Sequence, residues 1–524
     1  MTGAVDAIVI GAGPNGLVAA NRLADAGWSV LVLEQADEPG GAVRTAEVTA
    51  PGFRNDLFSA FYPMAAASPV MRDLELERFG LRWAHAPAVL AHPLPDAPAA
   101  VLSRDLDATI ASIDRCGTGD GAAYRTIIDQ WRRYGDAVVE ALLTPFPPVR
   151  ASARLAWGAR ADGLRELARI GLMSLQRFVE ERFSGAAASL LFAGCALHTD
   201  VTPESANSAF IGWLLVCLGQ EVGFPVPAGG AEELTRALVT RLDARGGSVR
   251  CNSPVVRVVV RNNRAVGVST VDGTTFEARR AVLADCDAVH LYTSMIDRQH
   301  LPARLFDRLA RFQRSSATFK VDWALSAPIP WSDPSVAPAG TVHVADDLEE
   351  LATTAHQLRV GVMPDRPFLV LGQMTTADPT RSPPGTESAW AYAHVPQKIK
   401  SDAGDDGITG RWGDREREQF ARRVERRIEA LAPGFSELIL ARHVLAPTDM
   451  ERINPNLVGG DIGGGTGQLH QQLVFRPIAG WGRAETPVRR LYLASASAHP
   501  GAAVHGACGA NAARAALAHH RLRR

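Results

Sequence analysis

Three glycines and an acid make the chemistry of this chain legible. Gly11, Gly13 and Gly16 lie in the run Gly11-Ala12-Gly13-Pro14-Asn15-Gly16, and Glu34 follows about twenty residues on. Gly11 permits a tight turn. Gly13 lets backbone approach a diphosphate, and Gly16 lets a helix sit close on a sheet. Pro14 and Asn15 would open that helix, whose N-terminal N–H groups and positive dipole end suit phosphate oxygens. A carboxylate at Glu34 suits the two hydroxyls of an adenosine ribose and would repel a 2′-phosphate. At the end of a strand, Glu34 is expected to be solvent-accessible when no cofactor is bound.

The elements that must position these residues surround them. Asp6 to Ile10 is a short apolar run, Leu17 to Ala26 has helical character, and Ser29 to Leu33 is a second apolar run ending at Glu34. Strand, glycine turn, helix, strand and acid together form a dinucleotide-binding unit. Gly40-Gly41-Ala42-Val43-Arg44-Thr45 follows almost at once. A nicotinamide-binding unit has no need of this second glycine pair. Gly40 and Gly41 admit another close backbone approach, and Arg44 can reach a phosphate oxygen. A plain turn would also use such a pair.

The run from Val9 to Thr45 resembles the amino-terminal FAD motif of the amine oxidase and phytoene desaturase superfamily. Two later blocks extend the resemblance. One is Pro227 to Ala284, with a helix closed by Gly246-Gly247, strands around turns at Asn262-Asn263 and Asp272-Gly273, and the pair Pro254-Val255. The resemblance implies that the backbone of Val255 touches adenine. The other block holds the glycine-dense segment from Asn454 to Thr466, a strand at Leu491-Tyr492-Leu493, then His499-Pro500-Gly501, Gly506 and a helix from Ala507. That order resembles the carboxy-terminal flavin motif of phytoene desaturase-like proteins, in which the last helix aims its N-terminus at the flavin. Gly-Gly-Asp-Ile-Gly-Gly-Gly and His499-Pro500-Gly501 most resemble the branch of pyridine nucleotide-disulfide oxidoreductase domain-containing protein 2. Ser495, Ser497, Ala502 and Ala503 depart from the glycines usual there.

The resemblance implies an α/β fold. A discontinuous Rossmann-like FAD-binding domain (an NAD(P)-binding-type fold), from residues 1–85, 223–300 and 445–524, is interleaved with an α+β substrate domain from 86–222 and 301–444. It implies an FAD-dependent oxidoreductase of dehydrogenase or desaturase type, moving hydride between a largely apolar, isoprenoid-like substrate and flavin. Gly11, Gly13, Pro14, Asn15, Gly16, Glu34, Gly40, Gly41, Arg44, Val255, His499, Pro500, Gly501 and Gly506 are the expected cofactor contacts. His505, between the last loop and helix, is a candidate proton carrier, and Asp461 is a weaker catalytic candidate; a backbone-bonded histidine and a loop-capping carboxylate are the alternatives. Two rivals share the fold. A flavin amine oxidase would need aromatic residues such as Trp213, Trp323 or Trp481 beside the flavin. A non-catalytic prenyl-binding protein of the Rab escort or GDP-dissociation inhibitor type would not need the intact Gly11–Glu34 unit.

Composition excludes other classes. Lys+Arg 55 against Asp+Glu 56 leaves a net charge of -1, which gives no reason to expect a nucleic-acid partner. Only Lys320, Lys398 and Lys400 are lysines; the arginine and alanine bias suggests a GC-rich bacterial gene. Six cysteines form no CxxC or redox pair and no metal-ligand spacing, so no metal and no disulfide chemistry is expected, and reduced thiols fit a cytoplasmic location. Ala206 to Leu218 is too short to span a bilayer and reads as a buried helix, an apolar tunnel wall, or a surface that touches a membrane peripherally. The periodicity predicts helices from Tyr124 to Leu143 and Leu164 to Phe183, and a solvated charged helix from Arg415 to Leu431.

Overall fold

The first strand, Val5–Ile10, is buried along nearly its whole length, as expected where both faces of a parallel sheet are covered. In the computed structural model, which describes residues 4–95 and 97–522, it lies inside a seven-stranded sheet. The order is Val255–Arg261, Arg264–Thr270, Thr275–Ala284, Val5–Ile10, Val30–Leu33, Ser248–Arg250, with Leu491–Leu493 also against Thr275–Ala284. Thr275–Ala284 serves two partners. Its first half pairs antiparallel with Arg264–Thr270, and its second half runs parallel to Val5–Ile10, with Val282 beside both Ile8 and Leu491. Three distant stretches of chain thus build one sheet. Helices Pro14–Asp25, Glu232–Ala244 and Ala507–Arg521 cover a face of it through Leu17, Leu238, Ala512 and their neighbours.

A second seven-stranded sheet runs Ile439–Leu445, Ala317–Leu325, Glu387–Val395, Leu369–Gln373, Ala339–Val344, Ala88–His92, Ala100–Leu102. All its pairs are antiparallel except Ala339–Val344 with Ala88–His92. Ala317–Leu325 is buried at every residue, although Thr318, Lys320 and Asp322 alternate with Phe319, Val321 and Trp323 in its sequence. One face packs on helix Asp414–Glu429. This corrects the expectation of a solvated helix: Phe420, Ala421, Val424 and Ile428 enter the core. Its inward charges are spent on partners, with Arg423 on Asp402 and Asp406, Arg427 on Glu350 and Asp346, and Glu425 on Arg442. Buried charges persist only when paired in this way.

Helices Asp120–Leu143, Val149–Leu172, Ala186–Ala196 and Ser208–Glu221 form a third layer. The stretch expected as one helix from Leu164 to Phe183 is broken. Val149–Leu172 ends there, and Ser174 caps a new helix, Leu175–Glu180, by accepting from the Arg177 N–H. Ser208–Glu221 is the apolar segment at 206–218, and it does two jobs. Trp213, Val216 and Cys217 pack in the core, while Ile211, Leu214 and Leu215 face a cavity. No helix of the described residues is long and apolar enough to cross a membrane.

Candidate flavin and substrate site

The cavity has a volume of about 560 Å³ and runs from the Gly11–Gly16 turn to the second sheet. At one end Gly11, Gly13, Pro14, Asn15, Glu34, Gly41 and Val255 line it. The glycines are required by geometry. Gly11 has φ +90°, and a Cβ there would come within 2.7 Å of the Asp285 carbonyl oxygen. A Cβ at Gly16 would lie 2.2 Å from the Gly11 carbonyl oxygen, so Gly16 lies behind the turn rather than on the cavity wall. Gly40 also lies behind: its N–H donates to the Ala12 carbonyl at 2.9 Å, and a Cβ on Gly41 would meet the Gly13 Cα at 3.1 Å. The second glycine pair therefore docks against the first.

Glu34 departs from the expectation of an accessible carboxylate. It is 7% exposed, and its oxygens accept from the N–H of Ala12 at 2.7 Å and of Ala36 at 2.9 Å. It braces the glycine turn while still lining the cavity. Arg44 is also placed differently. Its guanidinium is paired with Glu38 at 2.6 Å, and it is not among the cavity-lining side chains.

The carboxy-terminal wall is made by Gly463, Gly464, Gly465, Ser495, Ala496, Ser497 and the loop 502–504. Ser495, Ser497, Ala502 and Ala503, the four departures from glycine, all stand on it. His499, Pro500, Gly501 and Gly506 do not. The His499 Nε2 meets the Thr144 carbonyl at 3.0 Å, a Cβ on Gly501 would strike the Arg476 side chain at 2.9 Å, and Gly506 (φ +70°) precedes the last helix. These four shape the wall from behind.

Neither catalytic candidate reaches the cavity. The His505 Nδ1 accepts the Ala507 N–H at 3.0 Å, capping the last helix, and burial holds the imidazole neutral, its pKa lowered to about 4. Asp461 is fully buried and accepts from Ser315 Oγ at 2.5 Å and from the N–H groups of Gly463 and Gly465, each at 2.8 Å. It is the loop-capping carboxylate. The tryptophans named for an aromatic cage are elsewhere: Trp213 packs on Trp131 at 5.2 Å, Trp323 packs on Phe435 at 5.4 Å, and Trp481 lies beside Arg304 and Arg308. Phe61, Phe224, Trp390 and Tyr392 supply the aromatic wall instead.

Two residues that sequence reasoning missed organise the site. Asp285, at the end of Thr275–Ala284, accepts the Gly16 N–H at 2.7 Å and so sits over the helix N-terminus. Burial, with Glu34 nearby, pushes its carboxyl up to about 7. Arg476 is fully buried and donates to the carbonyls of Gly463, Gly464, Thr466 and Ala496, tying the glycine-rich loop to the loop after the last strand. Proximity in sequence to either wall would not have found them.

The residues present fit a flavin dinucleotide. A side chain at Gly13 would fill the cradle, with its Cβ 2.8 Å from Asp285 Oδ2. The Asn15 Oδ1 beside it is buried without a partner. The comparisons with known proteins decide the family. Residues 15–306 match the family described as flavin containing amine oxidoreductase. The chain belongs to that family. This flavin oxidoreductase is 29% identical to mouse pyridine nucleotide-disulfide oxidoreductase domain-containing protein 2, across 97% of this chain and 92% of that protein. It is 25% identical to the neurosporene-forming phytoene desaturase of Cereibacter sphaeroides, across 98% of this chain and 94% of that one. Among solved structures, cyclohexylamine oxidase from Brevibacterium oxydans IH-35A superposes with a TM-score of 0.58 at 16% identity, each chain covered at 100%, which shows the shared fold. The protein is thus a flavin-dependent oxidoreductase of phytoene desaturase-like type.

Proposed function

We propose that the flavin is FAD and that the enzyme moves hydride between a largely apolar, isoprenoid-like substrate and that cofactor. The observation that carries this reading is one continuous cavity, with the dinucleotide cradle at one end and the apolar side chains of Ile211, Leu214, Leu215 and Phe224 on another wall. Glu34 and the Gly11–Gly16 turn would hold the adenosine ribose and diphosphate, Val255 the adenine edge, and the loops at 463–465 and 495–497 the ring system. Bound flavin supplies the acceptance of hydride from carbon; the chain positions the substrate and excludes water. We assign the flavin half to residues 1–85, 223–300 and 445–524 and the substrate half to 86–222 and 301–444, except that helix Ala303–Leu309 crosses this boundary and packs on the first sheet through Leu305 and Leu309. The test is analysis of the small molecule released on denaturation, followed by anaerobic titration with isoprenoids. Recovery of a cofactor other than FAD, or flavin that no isoprenoid reduces, would overturn the respective part.

A second reading, amine oxidation, is favoured by one feature. Trp390 and Tyr392 stack on the cavity wall with centroids 6.1 Å apart and planes 10° apart, an aromatic pair of the kind an amine carbon would need. Anaerobic flavin bleaching by aliphatic amines and not by isoprenoids would select it. We propose peripheral membrane contact through Phe146, Val149 and Trp157, exposed beside Arg150 and Arg154 near the start of helix Val149–Leu172. Failure to co-sediment with anionic vesicles would remove that element. We propose a cytoplasmic location, as the cysteine spacing of the sequence suggests.

A further inference from the structure

The dinucleotide end of the cavity carries the wrong sign of charge for a diphosphate. Glu34 and Asp285 both line it, and Arg44, the arginine expected there, is paired with Glu38 and stands off the wall. Lys320 is the one lysine or arginine among the lining residues, and it lies on the second sheet, held by Asp322. The diphosphate of a dinucleotide is doubly ionised at neutral pH. Two carboxylates beside it, with no lysine or arginine on that wall, would repel it strongly in so buried a site.

The two carboxyls are not equivalent. Both Glu34 oxygens accept backbone N–H bonds, from Ala12 at 2.7 Å and Ala36 at 2.9 Å, which favours its ionised form. The Asp285 Oδ2 accepts the Gly16 N–H at 2.7 Å, and its Oδ1 has no hydrogen-bond partner among the described residues. The carboxyl lies against the turn itself. A Cβ on Gly13 would come 2.8 Å from Oδ2, and one on Gly16 3.1 Å from it. Asp285 thus stands where backbone meets diphosphate, with one oxygen uncommitted.

The surroundings favour a neutral carboxyl. Beyond Glu34, the titratable groups nearest Asp285 are the thiols of Cys286 beside it and Cys508 on the last helix, both held protonated by burial. The segment at 454–456 contributes amides, with Asn456 donating to the Asp285 carbonyl at 3.1 Å. Asp287 is taken by the Arg314 guanidinium at 2.6 and 3.0 Å, and it caps the turn that ends at His290, which also lines the cavity. Asp200 belongs to the wall of the glycine-rich loop, where Thr466 and Gly467 donate to it. The positive end of helix Pro14–Asp25 favours a carboxylate at Asp285. Burial and Glu34 outweigh it, which is why the carboxyl is pushed up to about 7.

We propose that Asp285 is a cofactor-binding residue that holds FAD in its protonated form, its Oδ1–H donating to a diphosphate oxygen while Oδ2 keeps the Gly16 N–H. This rests on the reading that the cofactor is FAD. The proton is taken from solvent as FAD binds and is released when FAD leaves. It turns a repulsion into a charge-assisted hydrogen bond.

The test is FAD binding by the flavin-free full chain, followed by flavin fluorescence from pH 6.5 to 8.5, where circular dichroism shows wild type and variant folded. Wild-type affinity should weaken at least about tenfold across that range, since each pH unit above the free carboxyl's value removes the binding form about tenfold. Calorimetry at pH 8 in HEPES and in Tris, whose ionisation heats differ, should show uptake of about 0.5–1 proton per FAD. Asp285→Asn keeps an acceptor for the Gly16 N–H and puts a permanent N–H donor in place of the O–H. It should match wild-type affinity within about threefold at pH 6.5, bind about tenfold more tightly than wild type at pH 8.5, and take up no proton. Wild-type affinity that is independent of pH, without proton uptake, overturns the inference and leaves FAD as the cofactor. A pH dependence that Asp285→Asn retains puts the proton on another group, such as His290, and overturns it too. Loss of FAD binding by Asp285→Asn at pH 6.5 does the same. No FAD binding by the wild type at any pH overturns both readings.

Discussion

Replacing Glu34 by alanine should separate two roles that one carboxylate plays. In the protein as folded, the Ala12 N–H donates to Oε2 at 2.7 Å and the Ala36 N–H to Oε1 at 2.9 Å. Ala12 is fully buried, so its N–H would be stranded, at a cost of about 1–3 kcal/mol. Ala36 is half-buried and water can replace part of its lost bond, at a cost of about 0.5–1 kcal/mol. Glu34→Ala should therefore lower the unfolding free energy of the flavin-free protein by about 1.5–4 kcal/mol in urea titrations followed by circular dichroism. Glu34→Gln keeps one acceptor oxygen and sets an NH₂ against the other N–H, so it should lose about half as much. The ribose role adds a second readout. FAD affinity should fall roughly ten- to a hundredfold in Glu34→Ala, measured by flavin titration at a temperature where both proteins are folded. A flavin-free stability within about 0.5 kcal/mol of wild type would refute the bracing argument. Unchanged FAD affinity beside a large stability loss would refute the ribose argument alone.

Other outcomes follow from the same geometry. Gly13→Val should abolish flavin retention, since even its Cβ falls 2.8 Å from Asp285 Oδ2; flavin recovered at wild-type stoichiometry would contradict this. Arg476→Met should destabilise the protein by about 3–5 kcal/mol, because it strands the buried carbonyls of Gly463, Gly464, Thr466 and Ala496, and a urea midpoint equal to wild type would sink that account. The Asp285 carboxyl is raised to about 7 from an unfolded value of 3.8, so the folded state binds the extra proton between those pH values. Its contribution is present below about pH 4 and is lost as pH rises toward 7, by at most roughly 4 kcal/mol. Asp285→Asn should flatten that decline, and parallel wild-type and variant stability profiles from pH 4 to 8 would show that Asp285 does not titrate there.

What could be read from the chain follows physical range. Val5–Ile10, Pro14–Asp25, Val30–Leu33 and the pair Val255–Arg261/Arg264–Thr270 announce themselves through local periodicity and glycine or asparagine turns, and they fold as expected. Ala317–Leu325 carries strand alternation too, with Thr318, Lys320 and Asp322 between Phe319, Val321 and Trp323, but the pattern alone reads as a half-solvated strand and does not show that its polar face is buried against a cavity. Arg44, His499 and Gly501 show a different limit. Motif position says where backbone passes, but Glu38 and the Thr144 carbonyl decide where the Arg44 and His499 side chains go. His505 and Asp461 look reactive by type, and backbone N–H groups claim both. Asp285 and Arg476 are legible only in space, since each ties together segments far apart in sequence.

The period-two alternation of Ala317–Leu325 has an evolutionary consequence. Even-numbered positions Thr318 and Lys320 face the cavity, while Phe319 and Trp323 pack against Phe420 and Phe435 on the opposite side. Cavity lining and structural integrity are thus written on interleaved positions of one strand. Selection can rewrite the ligand-facing set without disturbing the packing set, so diversification of substrate among descendants of this chain has a route that bypasses the stability threshold.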